Sequence, residues 1–246
     1  MPLLALSVLL QLICIVHAVR NQRPYWWIFV LLAGSFVGIA AYVIAELLPS
    51  AGTERAARRA LTGVRDRIDP TRHKRAASRQ LEVADTLENR CRLADESFRA
   101  GDFEQAETLY RSGLKGLYVT DPTLMLGLAK AQFALDRSVE AKRTLEALIA
   151  ANPDFRSPEG HLLYARCVEA AGDVAGALHE YEALSAGYAG EEARVRYGLL
   201  LKRAGQAARA KEVFEASLKH ARLSPKHYQR AQREWLSIAE RELAGL

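Results

Sequence analysis

Two arrangements of apolar and polar positions divide the 246-residue chain. Near the N-terminus the apolar residues run unbroken. Pro2 to Val19 is 18 residues without Lys, Arg, Asp or Glu, and Trp27 to Ala45 is another 19. Each is about the minimum length of one membrane-crossing helix. Beyond residue 87 the apolar residues are interspersed with charge, and whole positions recur. Gly101, Asp136, Gly172 and Gly205 are separated by 35, 36 and 33 residues. The same spacings separate Ala94, Ala129, Ala165 and Gly198; Ala106, Ala141, Ala177 and Ala210; and Tyr110, Leu145, Tyr181 and Phe214. Four columns in one register predict stacked helical hairpins. Each has a first helix, a tight turn and a second helix, with a small residue where the axes cross and a large one filling the gap to the next hairpin. Thus "GDFEQAETLY" (101–110) returns as "GDVAGALHEY" (172–181), because each hairpin has the same packing to satisfy.

A period close to 34 residues with small, turn, small and aromatic columns resembles the tetratricopeptide repeat. The resemblance covers four repeats over 87–224 and implies an all-α solenoid. Residues 225–246 supply a capping helix, with Ser224 as its N-cap, Pro225 at its first position and Tyr228, Trp235, Ile238 and Ala239 on its apolar stripe. Pro122, Pro153 and Pro158 mark starts and breaks between repeats.

The N-terminal runs predict a transmembrane helical hairpin over 1–49, with spans at about 2–19 and 27–48. Pro24 can start the second span, Tyr25, Trp26 and Trp27 form half of an aromatic belt, and Pro49 ends the span. The turn holds two arginines, against five (Arg55, Arg58, Arg59, Arg65, Arg67) in the 20 residues after the second span. Positive charge stays inside, so the reading is a multi-pass protein of the cell (cytoplasmic) membrane with both termini cytoplasmic. Gly34 and Gly38 form a G-x-x-x-G, which packs either within the hairpin or between protomers. The two short spans, the basic turn, the tryptophan opening the second span and "VGIAAY" (37–42) resemble the N-terminal module of cardiolipin synthases and related phospholipase D-type proteins. That resemblance carries no catalysis, because none of the sequences after His73, His220 and His227 is the H-x-K signature of that superfamily.

Charge sharpens the division. The net +5 comes from +1 over 1–49, +6 over 50–80 and −2 over 81–246. The excess therefore sits in a juxtamembrane connector, residues 50–86, rather than over a folded face as in a nucleic-acid binder. Over 53–68 the connector reads as a basic amphipathic helix whose five arginines face anionic headgroups. Asp69-Pro70 ends it, and a second helical run extends from near Thr71 to Gly101.

Candidate chemistry adds little. Three separated cysteines without C-x-x-C fit neither a disulfide framework nor a thiolate metal site. No nucleophile–base pair, metal-ligand spacing or phosphate loop stands out, so the reading is no enzyme, no cofactor and no metal. The repeat instead directs attention to the concave surface lined by first helices. Leu126, Lys130, Phe133, Leu162, Arg166 and Lys202 are the candidate groove, apolar with basic points. The expected function is a membrane-anchored scaffold whose cytoplasmic repeat domain binds a protein or peptide partner. The alternative is a modulator of membrane-lipid or envelope enzymes acting through the hairpin and connector.

Overall fold

The computed structural model describes residues 2–20, 26–33, 37–38 and 69–246. The chain divides into two compact units, Met1–Pro70 and Thr71–Leu246. Among the described residues the elements are thirteen α-helices and one 3₁₀ turn, an all-α fold.

In the first unit α1 (Pro2–Arg20) packs on α2 (Trp26–Ala33). Cys14, Ala18, Trp27 and Leu31 are buried between them, and the Gln11 amide donates to the Leu31 carbonyl at 2.9 Å. Outward-facing Leu12, Ile13, Val16, Val19, Phe29 and Leu32 are each more than half exposed. Among the described residues no helix is long and apolar enough to cross a membrane. Most of the second span expected from the sequence, Gly34 and the five connector arginines lie outside the described residues. Gly38 is buried, and a Cβ there would meet the Val30 carbonyl oxygen at 2.4 Å, so its small size serves a contact inside this unit.

The second unit starts with α3 (Arg72–Val83), packed on α4 (Leu87–Arg99). The helical run expected to be continuous from Thr71 to Gly101 is broken between these two. Ala84 is extended, the Thr86 hydroxyl accepts from the Asn89 N–H, and the Asn89 amide donates back to the Ala84 and Gln80 carbonyls. Thr86 thus caps the start of α4 and the Asn89 side chain the end of α3, which a search for Pro and Gly cannot detect.

Four hairpins follow: α4 with α5 (Phe103–Gly113), α6 (Pro122–Ala134) with α7 (Ser138–Ala151), α8 (Pro158–Ala170) with α9 (Val174–Gly187), and α10 (Glu192–Arg203) with α11 (Ala207–Leu223). Each first helix packs on its own second helix, and each second helix on the next first helix. The sequence columns account for this. Seven of the eight small positions are alanines, and all seven are fully buried at 0 % exposure. The eighth, Gly198, is a glycine because a Cβ there would stand 2.5 Å from the Phe214 ring.

The turn column has a backbone reason. Gly101, Asp136, Gly172 and Gly205 have φ of 81°, 60°, 82° and 77°, left-handed values that favour glycine. At every turn the next residue donates to the carbonyl five back, as Asp102 N–H does to Ser97 at 2.9 Å and Arg137 N–H to Gln132 at 2.9 Å. This double closure consumes the last carbonyls of each first helix. Asp102, Asp121, Ser157 and Asp173 side chains cap the N-termini of α5, α6, α8 and α9, and Pro122 and Pro158 open α6 and α8.

The C-terminal cap differs from the single helix expected. It is α12 (Lys226–Ala231) and α13 (Arg233–Ala244), broken at Gln232, whose side chain accepts from the Glu191 N–H at 2.9 Å. Ser224 does not cap it; its hydroxyl donates to the His220 carbonyl at the end of α11. Trp235 and Ile238 are half-buried against the last repeat, and Ala239 is fully buried.

Candidate functional site

The six residues expected to form the groove separate into three settings. Leu162 is 5 % exposed and belongs to the core of the third and fourth repeats, because its helical position turns it toward α9 and not outward. Leu126 is half-buried and forms one wall of a cleft described below. Lys130, Phe133, Arg166 and Lys202 remain on the first-helix strip, half-buried.

There the cations are not free. Lys130 in α6 donates to Glu159 at the start of α8 at 2.7 Å. Arg166 in α8 lies 4.0 Å from Glu192 at the start of α10, with its guanidinium 4.6 Å from the centre of the Phe133 ring. Lys202 in α10 pairs with Glu242 of α13 at 3.0 Å. The first two pairs cross from one repeat to the next and the third from the last repeat to the cap, and the acids at the first turns of α8 and α10 also complement the helix dipoles. The Lys130 hydrogen bond, with its charge, holds the Glu159 carboxyl below its usual range. These pairs are about one-third exposed or more on at least one side, so each adds little stability. The strip is a ladder of neutral rungs, and the basic points expected from the repeat register are each paired with an acid.

A second cluster lies where α10 begins. Glu191, 0 % exposed, accepts from Ser217 Oγ at 2.8 Å and Tyr228 at 2.7 Å, is 2.6 Å from His220 Nδ1, and receives Arg194 at 3.1 Å on both oxygens. Burial pushes its carboxyl up, but the bonds from Tyr228, Ser217 and His220 and the Arg194 charge outweigh that and leave it below the usual range. Burial and the same carboxylate push the Tyr228 hydroxyl up to about 12. The residues come from α10, α11 and α12, so the cluster bolts the cap onto the last repeat. Its satisfied hydrogen bonds and its cap contacts describe a structural joint.

The third feature is a cleft of about 520 Å³ between the C-terminal halves of α7 and α9, floored by the start of α8. Leu145, Leu148 and Leu184 are buried at its base, while Phe155, Tyr164 and Tyr188 line its sides. Ile149 stands at its mouth, 57 % exposed. The loop before α8 is held in place by the Asn152 amide, which donates to the Thr120 and Leu148 carbonyls. His161 and Glu180 meet across it at 2.7 Å. Arg156 edges it and donates only to the Pro153 and Phe155 carbonyls, with no carboxylate at ion-pair distance among the described residues. Apart from Leu126, none of these residues is a candidate site residue in the sequence, where Leu145 appears only as a packing position. Their shared signal is the absence of a large side chain at Gly187, where a Cβ would meet nothing within 4 Å.

No curated protein matches the chain. Among solved structures, the crystal structure of MamA is similar at 19% identity and a TM-score of 0.46, covering 63% of this chain and 98% of that one. Residues 97–167, which hold the first turn, the whole second hairpin and most of α8, match the sequence model of the tetratricopeptide repeat family.

Proposed function

We propose that the chain is a protein-interaction scaffold held at a membrane, its repeat unit carrying a partner and its N-terminal unit the anchor. The observation that carries the reading is the run of four hairpins in one register, closed by a cap. Such an array has no chemistry of its own to perform but presents long side surfaces to other chains. The anchor reading is supported by the apolar side chains exposed on α1 and α2, since a patch of this kind marks an interaction or membrane surface. On this reading both termini lie on the cytoplasmic side, and the connector arginines meet anionic headgroups.

Affinity capture with the full chain from detergent-solubilised membranes tests the scaffold. The parent recovers a defined partner, and a Phe133→Ala, Arg166→Ala double variant or a solenoid unfolded by Ala177→Trp does not. Equal recovery by the unfolded solenoid would remove the repeat unit from the function. Alkaline extraction of membranes tests the anchor separately: the chain stays in the pellet, and its release to the supernatant overturns anchoring while leaving the scaffold reading intact.

A further inference from the structure

We infer that the cleft between α7 and α9 docks an aromatic side chain carried next to a carboxylate on a partner segment. The inference rests on the scaffold reading for the occupant being a peptide; the site itself rests on three observations of the repeat unit.

The first is size and lining. About 520 Å³ is the range of a small-ligand site, and the apolar walls are leucine, phenylalanine and tyrosine around one exposed isoleucine, with Glu180 held by His161 across them. The second is charge. Lys130, Arg166 and Lys202 all have acids, whereas Arg156 at the rim has only backbone carbonyls. A guanidinium in that state prefers a carboxylate, which it can grip through two parallel hydrogen bonds.

The third observation is what this chain does with the corresponding space one repeat on. The last two repeats are 33 residues apart, so Pro158, Leu184 and Gly187 correspond to Glu191, Ser217 and His220. At that later position Tyr228 of the cap stands against two of these residues, its ring edge-on to His220 at 5.6 Å and its hydroxyl bonding Glu191. This place in the repeat therefore accepts an aromatic ring supplied from outside it. At the earlier wedge Pro158 and Gly187 stand where the later one has Glu191 and His220, so a ring there finds no carboxylate at that place, and the nearby rim cation, Arg156, favours an acid beside the ring.

The probe is a fluorescein-labelled hexapeptide with a phenylalanine–aspartate pair in a glycine–serine background, titrated against the full chain by fluorescence anisotropy. Phenylalanine–asparagine and serine–aspartate versions serve as comparisons. The phenylalanine–aspartate peptide should bind about tenfold tighter than its asparagine version, and the serine version should not bind. Arg156→Gln should bring the first two to equal affinity. Gly187→Phe should weaken both by about tenfold or more, since the new ring fills the cleft, and an unchanged melting profile would show that it does so without unfolding. The assignment is overturned if the aspartate preference survives Arg156→Gln, if binding survives Gly187→Phe, or if palmitate binds the cleft and the peptide does not. Failure here with partner capture still dependent on Phe133 and Arg166 leaves the scaffold reading standing. Failure of both experiments removes both.

Discussion

The wedge between α7 and α9 and the wedge between α9 and α11 hold corresponding places in successive repeats and differ in nearly everything else. The earlier one has Pro158, Leu184 and Gly187 and stays open; the later has Glu191, Ser217 and His220 and is closed by Tyr228. The comparison teaches that the repeat fixes where a wedge forms, while three side chains decide whether it becomes a joint or a docking cleft. Burying a carboxylate is unfavourable unless its lone pairs are used, and Glu191 uses them on groups from three helices. With leucine and glycine at the corresponding places there is no polar demand for a lid.

The largest effect expected is on the closed wedge. Glu191→Ala removes the acceptor shared by Ser217, Tyr228, His220 and Arg194, leaving the buried Ser217 hydroxyl and the part-buried groups around it without that carboxylate. It should destabilise the full chain by about 3–5 kcal/mol in a denaturant melt. A loss under 1 kcal/mol would mean that the cap is held by Trp235 and Ile238 packing alone.

Acid should act on the same joint. The folded carboxyl of Glu191 titrates below its unfolded value, so its contribution is fully present above the unfolded pKa of about 4.3 and is lost as pH falls through the folded value. Melting temperature should therefore fall from about pH 5 downward. Glu191→Gln, which carries no proton to take up, should flatten that part of the profile, and an identical slope in the variant would assign the acid sensitivity elsewhere.

Two glycines sharpen the comparison further. A Cβ on Gly127 would stand 2.5 Å from the Tyr110 ring, so Gly127→Ala should destabilise by about 1–3 kcal/mol through overpacking. Gly187 faces the open cleft, so Gly187→Ala should gain about 0.5–1 kcal/mol from helix propensity. Opposite signs in one thermal series are expected; a loss at Gly187 would mean that the cleft is filled. The smallest effect belongs to the second repeat. Asp136 holds a φ of 60° where the other turns have glycine, and Asp136→Gly should stabilise by up to about 1 kcal/mol in the same series.

These tests separate what the sequence makes legible from what it hides. The turn and small-residue columns are readable because their causes are local: a left-handed residue after each first helix, and no room at each crossing. The break at Ala84 is hidden because Asn89 reaches back along the chain to make it. The break at Gln232 is hidden because its partner, Glu191, is 41 residues away. The candidate groove fails to appear as a unit for a similar reason. Leu162 is in phase with Leu126 along the repeat, yet it is buried, since the third and fourth repeats pack tightly where the second and third part around the cleft. The acids facing Lys130, Arg166 and Lys202 lie 29, 26 and 40 residues on, so no constant period reveals the pairing.

That ladder of paired charges also bears on how a partner arrives. A row of bare cations would throw a field several ångströms into solution and draw an acidic chain in; a row of ion pairs presents dipoles, whose influence fades much faster with distance. An approaching partner therefore feels the first-helix strip only on contact, and its encounter rate belongs to the unsteered range of about 10⁵–10⁶ M⁻¹s⁻¹ with little dependence on salt. To engage Arg166 it must also displace Glu192, so each bond gained on this strip is an exchange and not an addition. Recognition there is governed by how long a fitted partner stays, and fast capture is left to the surfaces where a charge has no mate.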